Sequence, residues 1–242
     1  MEDACDSVTG CVLTGAWIWD SAMVLSHWMS KQAELEYYDF NGKTVLELGA
    51  GTGLPGLTAA KLGAARVILT DIEQLIPALE KSVEVNCLGD RVEVCEHVWG
   101  SELPVRICEL KQVDLVILSD LFFDAADMAA LAKTLKKVCG KETTVWAASE
   151  VRPWTSDCLH ELVREGFDIV ELSNQVTDVS PEDVTGVAGE RDTFSVFHLY
   201  RSYLDRVRLH VRKNQKVWAI PPAKLYKTIM VVADIVPCCT FS

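Results

Sequence analysis

The chain alternates short apolar runs with longer segments whose apolar residues recur at helical spacing. Continuous apolar runs such as "RVILT" and "VDLVIL" are typical of strands covered by helices on both faces. Such runs predict seven strands, at 44–49, 66–71, 91–96, 113–119, 143–149, 167–172 and 193–200. Helical spacing predicts helices at 17–36, 55–63, 74–87, 126–138 and 155–165. This alternation predicts an α/β fold with a doubly wound, Rossmann-like sheet.

Two segments depart from this pattern. The polar segment 174–192 contains two glycines and a proline, which predicts a long loop of a length that is often functional. The pattern of elements ends after Tyr200. The stretch from Arg201 to Lys227 has eight Lys or Arg residues and a single acid, although the whole chain has a net charge of −12. The last four residues, 239–242, formally satisfy a C-a-a-X prenylation pattern, which leaves modification of Cys239 open.

Composition excludes several classes of protein. Apolar residues make up 49% of the 242-residue chain and charged residues 24%, values typical of a folded protein. The apolar runs are far shorter than the ~20 residues that span a bilayer, so no stable membrane association is expected. The acidic N-terminus shows no signal peptide.

Nine scattered cysteines without a C-x-x-C pair predict a reducing compartment, the cytoplasm, and neither zinc nor disulfides. The negative charge disfavours nucleic acid as a partner.

The stretch "LELGAGTGLPG" (46–56) follows the first predicted strand and opens the next helix. Its spacing Gly51-x-Gly53-x-x-Gly56 satisfies the dinucleotide-binding fingerprint. Asp71 ends the second predicted strand 20 residues after Gly51, where an acid that binds ribose belongs. A nicotinamide-dependent oxidoreductase is therefore one open interpretation.

Glu47 distinguishes between ligands, because it precedes the loop by two residues. A carboxylate beside a pyrophosphate is repulsive, whereas one beside a cationic group is favoured. A ligand with a sulfonium and a ribose but no phosphate, S-adenosylmethionine, fits Glu47 and Asp71 together. The alternative is that Glu47 binds only the local backbone.

Four stretches carry a resemblance to a known family. "VLELGAGTGLPG" resembles motif I of class I S-adenosylmethionine-dependent methyltransferases. Together with "GAWIWDSAMVLSHWM" (15–29), "VWG" (98–100) and "SDLFFD" (119–124), it resembles methyltransferase family 16, the seven-β-strand protein-lysine methyltransferases. The resemblance implies a mostly parallel seven-stranded sheet with an antiparallel last strand. It also implies a methyltransferase domain at 1–201, including an N-terminal cofactor-covering segment, and an extension at 202–242 of unknown role.

The same resemblance assigns the residues that hold S-adenosylmethionine. Trp19 lines the pocket, the glycine loop contacts the methionine portion, Asp71 takes the ribose hydroxyls, and Trp99 lies beside the adenine. The full predicted set is Trp19, Glu47, Gly49, Ala50, Gly51, Gly53, Asp71, Trp99 and Ser119. Trp17 and Trp28 are expected in the core.

Asp120 and Phe123 are assigned to the acceptor side, since they match the family's Asp-x-x-Tyr/Phe motif. A lysine has a pKa near ~10.4, and a nearby carboxylate raises it. Asp120 is therefore expected to orient the amine rather than activate it; a helix N-cap is its alternative role. Phe123, together with Phe122, would wall the channel for the lysine.

The function predicted from these residues is methylation of lysine side chains on a protein substrate by a monomeric enzyme. In-line transfer of an activated methyl group requires alignment and no metal. Two alternatives remain open: methylation of a small molecule or another nucleophile, and the nicotinamide-dependent oxidoreductase or a silent cofactor-binding module.

Overall fold

One seven-stranded sheet organises the chain. The computed structural model describes Gly15, residues 17–172 and residues 194–201. The strands are β1 (Thr44–Leu48), β2 (Arg66–Asp71), β3 (Val92–Glu96), β4 (Leu115–Ser119), β5 (Thr144–Glu150), β6 (Phe167–Leu172) and β7 (Phe194–Arg201). Their order in the sheet is β3-β2-β1-β4-β5-β7-β6.

The order of the strands creates a crevice at one edge of the sheet. Strands β1 to β5 are parallel, whereas β7 lies between β5 and β6 and runs antiparallel to both. The chain runs outward from β1 to β3 and then returns to β4 on the other side of β1. In open α/β sheets such a reversal leaves a ligand-binding crevice at the carboxyl ends of the strands.

Helices cover both faces of the sheet. They are α1 (Asp20–Glu34), α2 (Leu54–Lys61), α3 (Ile76–Val85), α4 (Val105–Cys108), α5 (Met128–Val138) and α6 (Thr155–Arg164). Helices α1 to α3 pack on one face and α4 to α6 on the other. Alternate residues of β1 enter the two cores, with Val45 on the α1–α3 side and Leu46 and Leu48 on the opposite side.

The structure confirms the predicted α/β fold, including the antiparallel last strand. All seven strands lie within two residues of their predicted bounds, and the five predicted helices are present. Helix α1 begins at Asp20 rather than at residue 17, because Trp19 has an extended backbone with φ −87° and ψ 147°. Helix α4 was not predicted, since its four residues are too few to show a period. The predicted loop at 174–192 and the extension from residue 202 lie outside the described residues.

The two tryptophans expected in the core have different positions. Trp28 of α1 is buried and meets Trp146 of β5 edge to face, with ring centroids 4.7 Å apart. The prediction for Trp17 is wrong, since its side chain is 49% exposed. Trp17 precedes α1 and so lies outside the helix face that packs on the sheet. Within the described residues, no helix is long and apolar enough to cross a membrane.

Candidate active site

The loop between β1 and α2 turns on three glycines. The φ angles of Gly49, Gly51 and Gly53 are 60°, 55° and 79°, a left-handed region that glycine adopts without strain. The Ala50 N–H donates to the carbonyl oxygen of Thr70 at 2.9 Å, which fastens the loop to β2. The loop is thereby held at the carboxyl end of β1, beside the first turn of α2.

Other segments approach two of these glycines closely. A Cβ atom on Gly49 would lie 2.8 Å from the Leu121 side chain and 3.1 Å from the Trp99 ring. A Cβ atom on Gly51 would lie 2.8 Å from the carbonyl oxygen of Gly15, in the segment that precedes α1. Only glycine therefore fits, and the loop forms the floor of a crevice between Trp99 and the N-terminal segment.

Asp71, the predicted ribose-binding acid, ends β2 beside the loop. Its Oδ2 accepts the Gly51 N–H at 2.7 Å and its Oδ1 accepts the Ile72 N–H at 2.8 Å. Burial raises the pKa of Asp71, and these two hydrogen bonds oppose that effect. The carboxylate thus connects the glycine loop to β2 and keeps a second lone pair on each oxygen for a ligand.

Glu47 lies under the loop, fully buried on the face that α2 covers. Its Oε2 accepts the N–H of Gly56, in the first turn of α2, at 2.8 Å. Burial, reinforced by the negative charge of Asp71 and opposed by the Gly56 bond, raises the pKa of Glu47 to about 8. Oε1 has no hydrogen-bond partner in the part of the chain that the structure describes. Contact between Glu47 and a ligand cation stays a prediction, whereas its contact with the backbone is observed.

Ser119, the predicted contact at the end of β4, carries a second unpaired polar atom. Its hydroxyl is buried and makes no hydrogen bond to any described residue. A buried polar atom left without a partner costs about 1–3 kcal/mol. A polar ligand in the crevice would satisfy this hydroxyl, so Ser119 fits the position assigned to it.

Aromatic rings stand on both sides of the crevice. Trp99 lies against Gly49 and faces Phe123, with ring centroids 6.3 Å apart and an interplanar angle of 37°. On the other side the Trp19 side chain is 38% exposed, and the Arg152 guanidinium lies 5.8 Å from its ring centroid. Flat rings at such distances can hold a planar ligand group by stacking.

A buried polar cluster supports the segment that carries Trp99. The hydroxyl of Thr134, on α5, accepts the Gly100 N–H at 2.9 Å and lies 3.1 Å from Nε2 of His97. His97 itself is 4% exposed. Burial, reinforced by the charge of Lys137, lowers the pKa of His97, which favours the neutral ring. These contacts fix the turn after β3 and with it the position of Trp99.

Asp120, the predicted acceptor-orienting residue, forms a forked ion pair with Arg152. Nη1 of Arg152 lies 2.8 Å from Oδ1 and Nη2 lies 3.1 Å from Oδ2. The guanidinium also contacts Glu150 at 2.5 Å. The residue that observably caps the following 3₁₀ turn is Asp124, whose carboxylate accepts the Ala126 N–H at 2.9 Å.

The two adjacent phenylalanines after β4 have opposite environments. Phe123 is 52% exposed at the mouth of the crevice, the position expected for a channel wall. The prediction that Phe122 shares this wall is wrong, because its ring is fully buried against Phe197 with centroids 5.9 Å apart. Consecutive residues point in opposite directions here, and one of them belongs to the core.

The predicted site residues thus meet at one edge of the sheet, between the carboxyl ends of β1 and β4. Together they offer a glycine floor, two buried polar atoms that no described residue satisfies, an acid at the end of β2 and flat rings on two sides. These features fit an uncharged ribose and purine attached to a cationic group. The described residues contain no cluster of side chains that could hold a metal ion.

Arg152, His97 and Thr134 were not anticipated from the sequence. Arg152 follows β5 by two residues, and Asp120 directly follows β4. Because β4 and β5 are adjacent strands, knowledge of the strand order would have predicted that these two side chains meet. Thr134 lies 37 residues from His97, and no local pattern signals their contact.

Solved structures of class I methyltransferases have the same fold. The chain resembles the glycopeptide N-methyltransferase MtfA with a TM-score of 0.54 at 14% identity, over 73% of this chain and 90% of that one. At this level of identity the likeness concerns the fold alone.

The sequence belongs to the lysine methyltransferase family, whose model matches residues 6–164. It is 32% identical over 158 residues to the protein N-lysine methyltransferase METTL21A of Danio rerio, covering 64% of this chain and 69% of that protein. It is 34% identical over 140 residues to the protein N-terminal and lysine N-methyltransferase EFM7 of Cryptococcus neoformans, covering 54% of this chain. The chain spans about half the length of that fungal relative, 46%.

Replacing Glu47 with Gln is expected to change how stability depends on pH. The amide oxygen can still accept the Gly56 N–H, but the side chain no longer titrates. Since folding raises the pKa of Glu47 from 4.5 to about 8, its stabilising effect is complete below pH 4.5 and is lost as the pH rises through 8. Denaturant unfolding of the ligand-free protein at about pH 5.5 and about pH 8.5 should show the wild type losing stability relative to Glu47→Gln.

Glu80→Gln, at an exposed glutamate of α3, is the control and should show no such change with pH. A constant difference between wild type and Glu47→Gln at both pH values would contradict the buried, proton-binding role.

Replacing Thr134 with Val is expected to lower the free energy of unfolding by about 1–3 kcal/mol. The substitution preserves the shape of the side chain but leaves the Gly100 N–H and a His97 nitrogen without their partner. Thr58→Val is the matched control, because the Thr58 hydroxyl only donates to the Leu54 carbonyl one turn earlier in its own helix. Equal losses for the two variants in denaturant unfolding would count against the supporting role of Thr134.

Proposed function

We propose that this protein is an S-adenosylmethionine-dependent methyltransferase that methylates lysine side chains of a protein. The observation that carries the proposal is the convergence of three features at one edge of the sheet: the glycine loop, the Asp71 carboxylate bonded to Gly51, and the Trp99 ring against Gly49. Membership of the lysine methyltransferase family supports it.

Nine residues would hold the cofactor, S-adenosylmethionine. They are Trp19, Glu47, Gly49, Ala50, Gly51, Gly53, Asp71, Trp99 and Ser119. The bound cofactor supplies a methyl group already activated by a sulfonium. The unpaired Ser119 hydroxyl and the free lone pairs of Asp71 are available for its polar groups. A cation near Glu47 would favour the ionised carboxylate and so lower the pKa that burial raises.

The acceptor side is the rim formed by Asp120 and Phe123. The carboxylate would accept hydrogen bonds from the incoming amine and orient its lone pair, while the exposed Phe123 ring would shield the amine from water. The lysine ammonium would first lose a proton to solvent at the rim, and the neutral amine that results is the nucleophile. The protein's contribution is therefore alignment and exclusion of water.

Exposed aromatic and apolar side chains around the rim support a macromolecular acceptor. Trp17, Ile18, Val151 and Trp154 are each at least 46% exposed, although they are large and apolar. They precede α1 or follow β5, and both positions border the crevice. Exposed patches of this kind mark interaction surfaces. The names of the two relatives support lysine as the acceptor, and that of the fungal relative adds a protein N-terminal amine as a second candidate.

The proposal extends to organisation and location. Residues 1–201 form the methyltransferase domain, and 202–242 form an extension whose basic composition distinguishes it from the rest. The protein acts as a monomer in the cytoplasm. The described cysteines, all of them unpaired thiols, support a reducing compartment.

Calorimetric titration tests the cofactor. The purified chain should bind S-adenosylhomocysteine in the micromolar range and show no heat with NAD. Asp71→Asn should weaken S-adenosylhomocysteine binding at least about tenfold, because a charge-assisted hydrogen bond contributes roughly 1.5–3 kcal/mol. Asp90→Asn, at an exposed acid paired with Arg91, should bind as the wild type does. Binding of NAD, or of neither ligand, would contradict the proposal.

A transfer assay tests the acceptor. Incubation with methyl-labelled S-adenosylmethionine and a cell lysate should label a protein band, and hydrolysis of that band should release methyllysine. Asp120→Ala should bind S-adenosylhomocysteine yet transfer no label. Release of a methylated N-terminal residue would replace lysine with the second candidate, and label confined to small molecules would overturn the protein acceptor.

A further inference from the structure

A single guanidinium contacts both sides of the proposed site. We infer that Arg152 is its positioning residue: it fixes Asp120 on the acceptor side and lies against Trp19 on the cofactor side. The inference rests on the proposed function, since that function defines the two sides.

The contact with Asp120 is directional and largely shielded from solvent. Two parallel hydrogen bonds of 2.8 and 3.1 Å join the guanidinium to the carboxylate, and the side chains of Asp120 and Arg152 are 8% and 16% exposed. Forked pairs of this kind fix orientation as well as charge. Asp120 also has a left-handed backbone with φ 55°, and its N–H donates to the Ala148 carbonyl at 2.8 Å. The turn, the ion pair and a hydrogen bond of 3.4 Å from the Ser149 hydroxyl to Oδ1 hold the carboxylate beside β5.

Arg152 is itself held in place by the turn after β5. Its N–H donates to Oγ1 of Thr155 at 3.0 Å, and that hydroxyl donates to the Glu150 carbonyl at 3.2 Å. The Glu150 carboxylate contacts Nη2 of the guanidinium. The backbone and the head group of Arg152 are therefore both fixed, which makes the side chain a rigid support for its neighbours.

The contact with Trp19 connects this support to the segment before α1. The guanidinium lies 5.8 Å from the ring centroid, within the distance at which a cation is attracted to an aromatic face. A hydrogen bond of 3.1 Å from the Glu150 N–H to the Ser21 hydroxyl ties the start of α1 to the same strand end. Displacement of Arg152 would thus remove one contact from Asp120 and one from Trp19 at the same time.

The ion pair also suits the chemistry of an amine acceptor. An uncompensated carboxylate would raise the pKa of a nearby lysine and keep it protonated. Arg152 pairs with two carboxylates, Asp120 and Glu150, so it offsets their charge only in part. The fork and the Ser149 hydroxyl, which donates to Oδ1 at 3.4 Å, leave one lone pair of Oδ2 available. Asp120 can therefore accept a hydrogen bond from the amine at Oδ2. Among the described residues, the charged groups that contact the guanidinium are Asp120 and Glu150.

A double-mutant cycle on ligand affinity tests the inference without a protein acceptor. The probe is S-adenosylhomocysteine, titrated calorimetrically into the wild type, Arg152→Met, Asp120→Asn and the double variant. Arg152→Met should weaken binding about three- to tenfold, because Trp19 loses its cation–ring contact. Asp120→Asn should weaken it to a smaller degree, because the guanidinium loses its fork but keeps Glu150. The double variant should bind within twofold of Arg152→Met.

Several outcomes would overturn the inference. Multiplication of the two single effects in the double variant would show that Asp120 and Arg152 act independently. Unchanged affinity in Arg152→Met would show that Arg152 does not position Trp19 for the ligand. Arg164→Met, at an exposed arginine of α6, is the control and should bind as the wild type does. Absence of binding by the wild type would instead refute the proposed function.

Arg152→Lys adds methyl transfer as a second readout. It is also a milder change that can be used if Arg152→Met does not fold. It retains the cation near Trp19 but loses the fork, so its S-adenosylhomocysteine affinity should stay within about threefold of the wild type. Methyl transfer to the labelled lysate band should fall by about tenfold or more, because Asp120 is no longer oriented. A purely structural role would lower the melting temperature and leave transfer per folded molecule unchanged, which would contradict the inference.

Discussion

Two carboxylates hold the glycine loop, and the whole site depends on them; Glu47 is fully buried and Asp71 is half-buried. Glu47 from β1 accepts the Gly56 N–H, and Asp71 from β2 accepts the Gly51 N–H. Between Glu47 and Gly56 the chain passes through three left-handed glycines, outside the regular hydrogen bonding of a helix or a strand. The acids supply acceptors that water would otherwise provide, and they do so from adjacent strands of a rigid sheet. The loop can therefore be preformed before any ligand arrives.

On the acceptor side the roles are reversed, because there a positively charged side chain holds a carboxylate. In the proposed function the Asp120 carboxylate is the group that contacts the amine, and the guanidinium of Arg152 holds it. Because β4 and β5 are adjacent and parallel, the turn after each strand brings one member of the pair to the same edge. The topology of the sheet thus brings residues far apart in the chain into two neighbouring polar centres, which we propose to serve a cofactor and an amine.

Strand and helix positions were predictable because a covered parallel sheet leaves continuous apolar runs, and the glycine spacing marked the loop between them. The environment of each side chain was less predictable. The alternation of Val45, Leu46 and Leu48 between the two cores indicates that Glu47 points under α2, which the position beside the loop alone did not reveal. Phe122 and Phe123 have the same chemistry, and only packing against Phe197 separates core from channel wall.

Long-range polar contacts were the part that sequence patterns could not supply. The pairing of Asp120 with Arg152 spans 32 residues and depends on the strand order, and the contact of Thr134 with His97 depends on where α5 crosses the turn after β3. Such contacts involve ordinary surface-type residues whose importance arises from burial. They become predictable only once strand adjacency is known.

The central claim is that the crevice between β1 and β4 holds the cofactor. A crystal structure of the chain with bound S-adenosylhomocysteine tests it most directly. In that structure the ribose hydroxyls should contact Asp71, the adenine should lie beside Trp99, and the amino-acid portion should contact the glycine loop at Gly49 to Gly51. A ligand bound elsewhere, with Asp71 and Trp99 making no contact to it, would contradict the account.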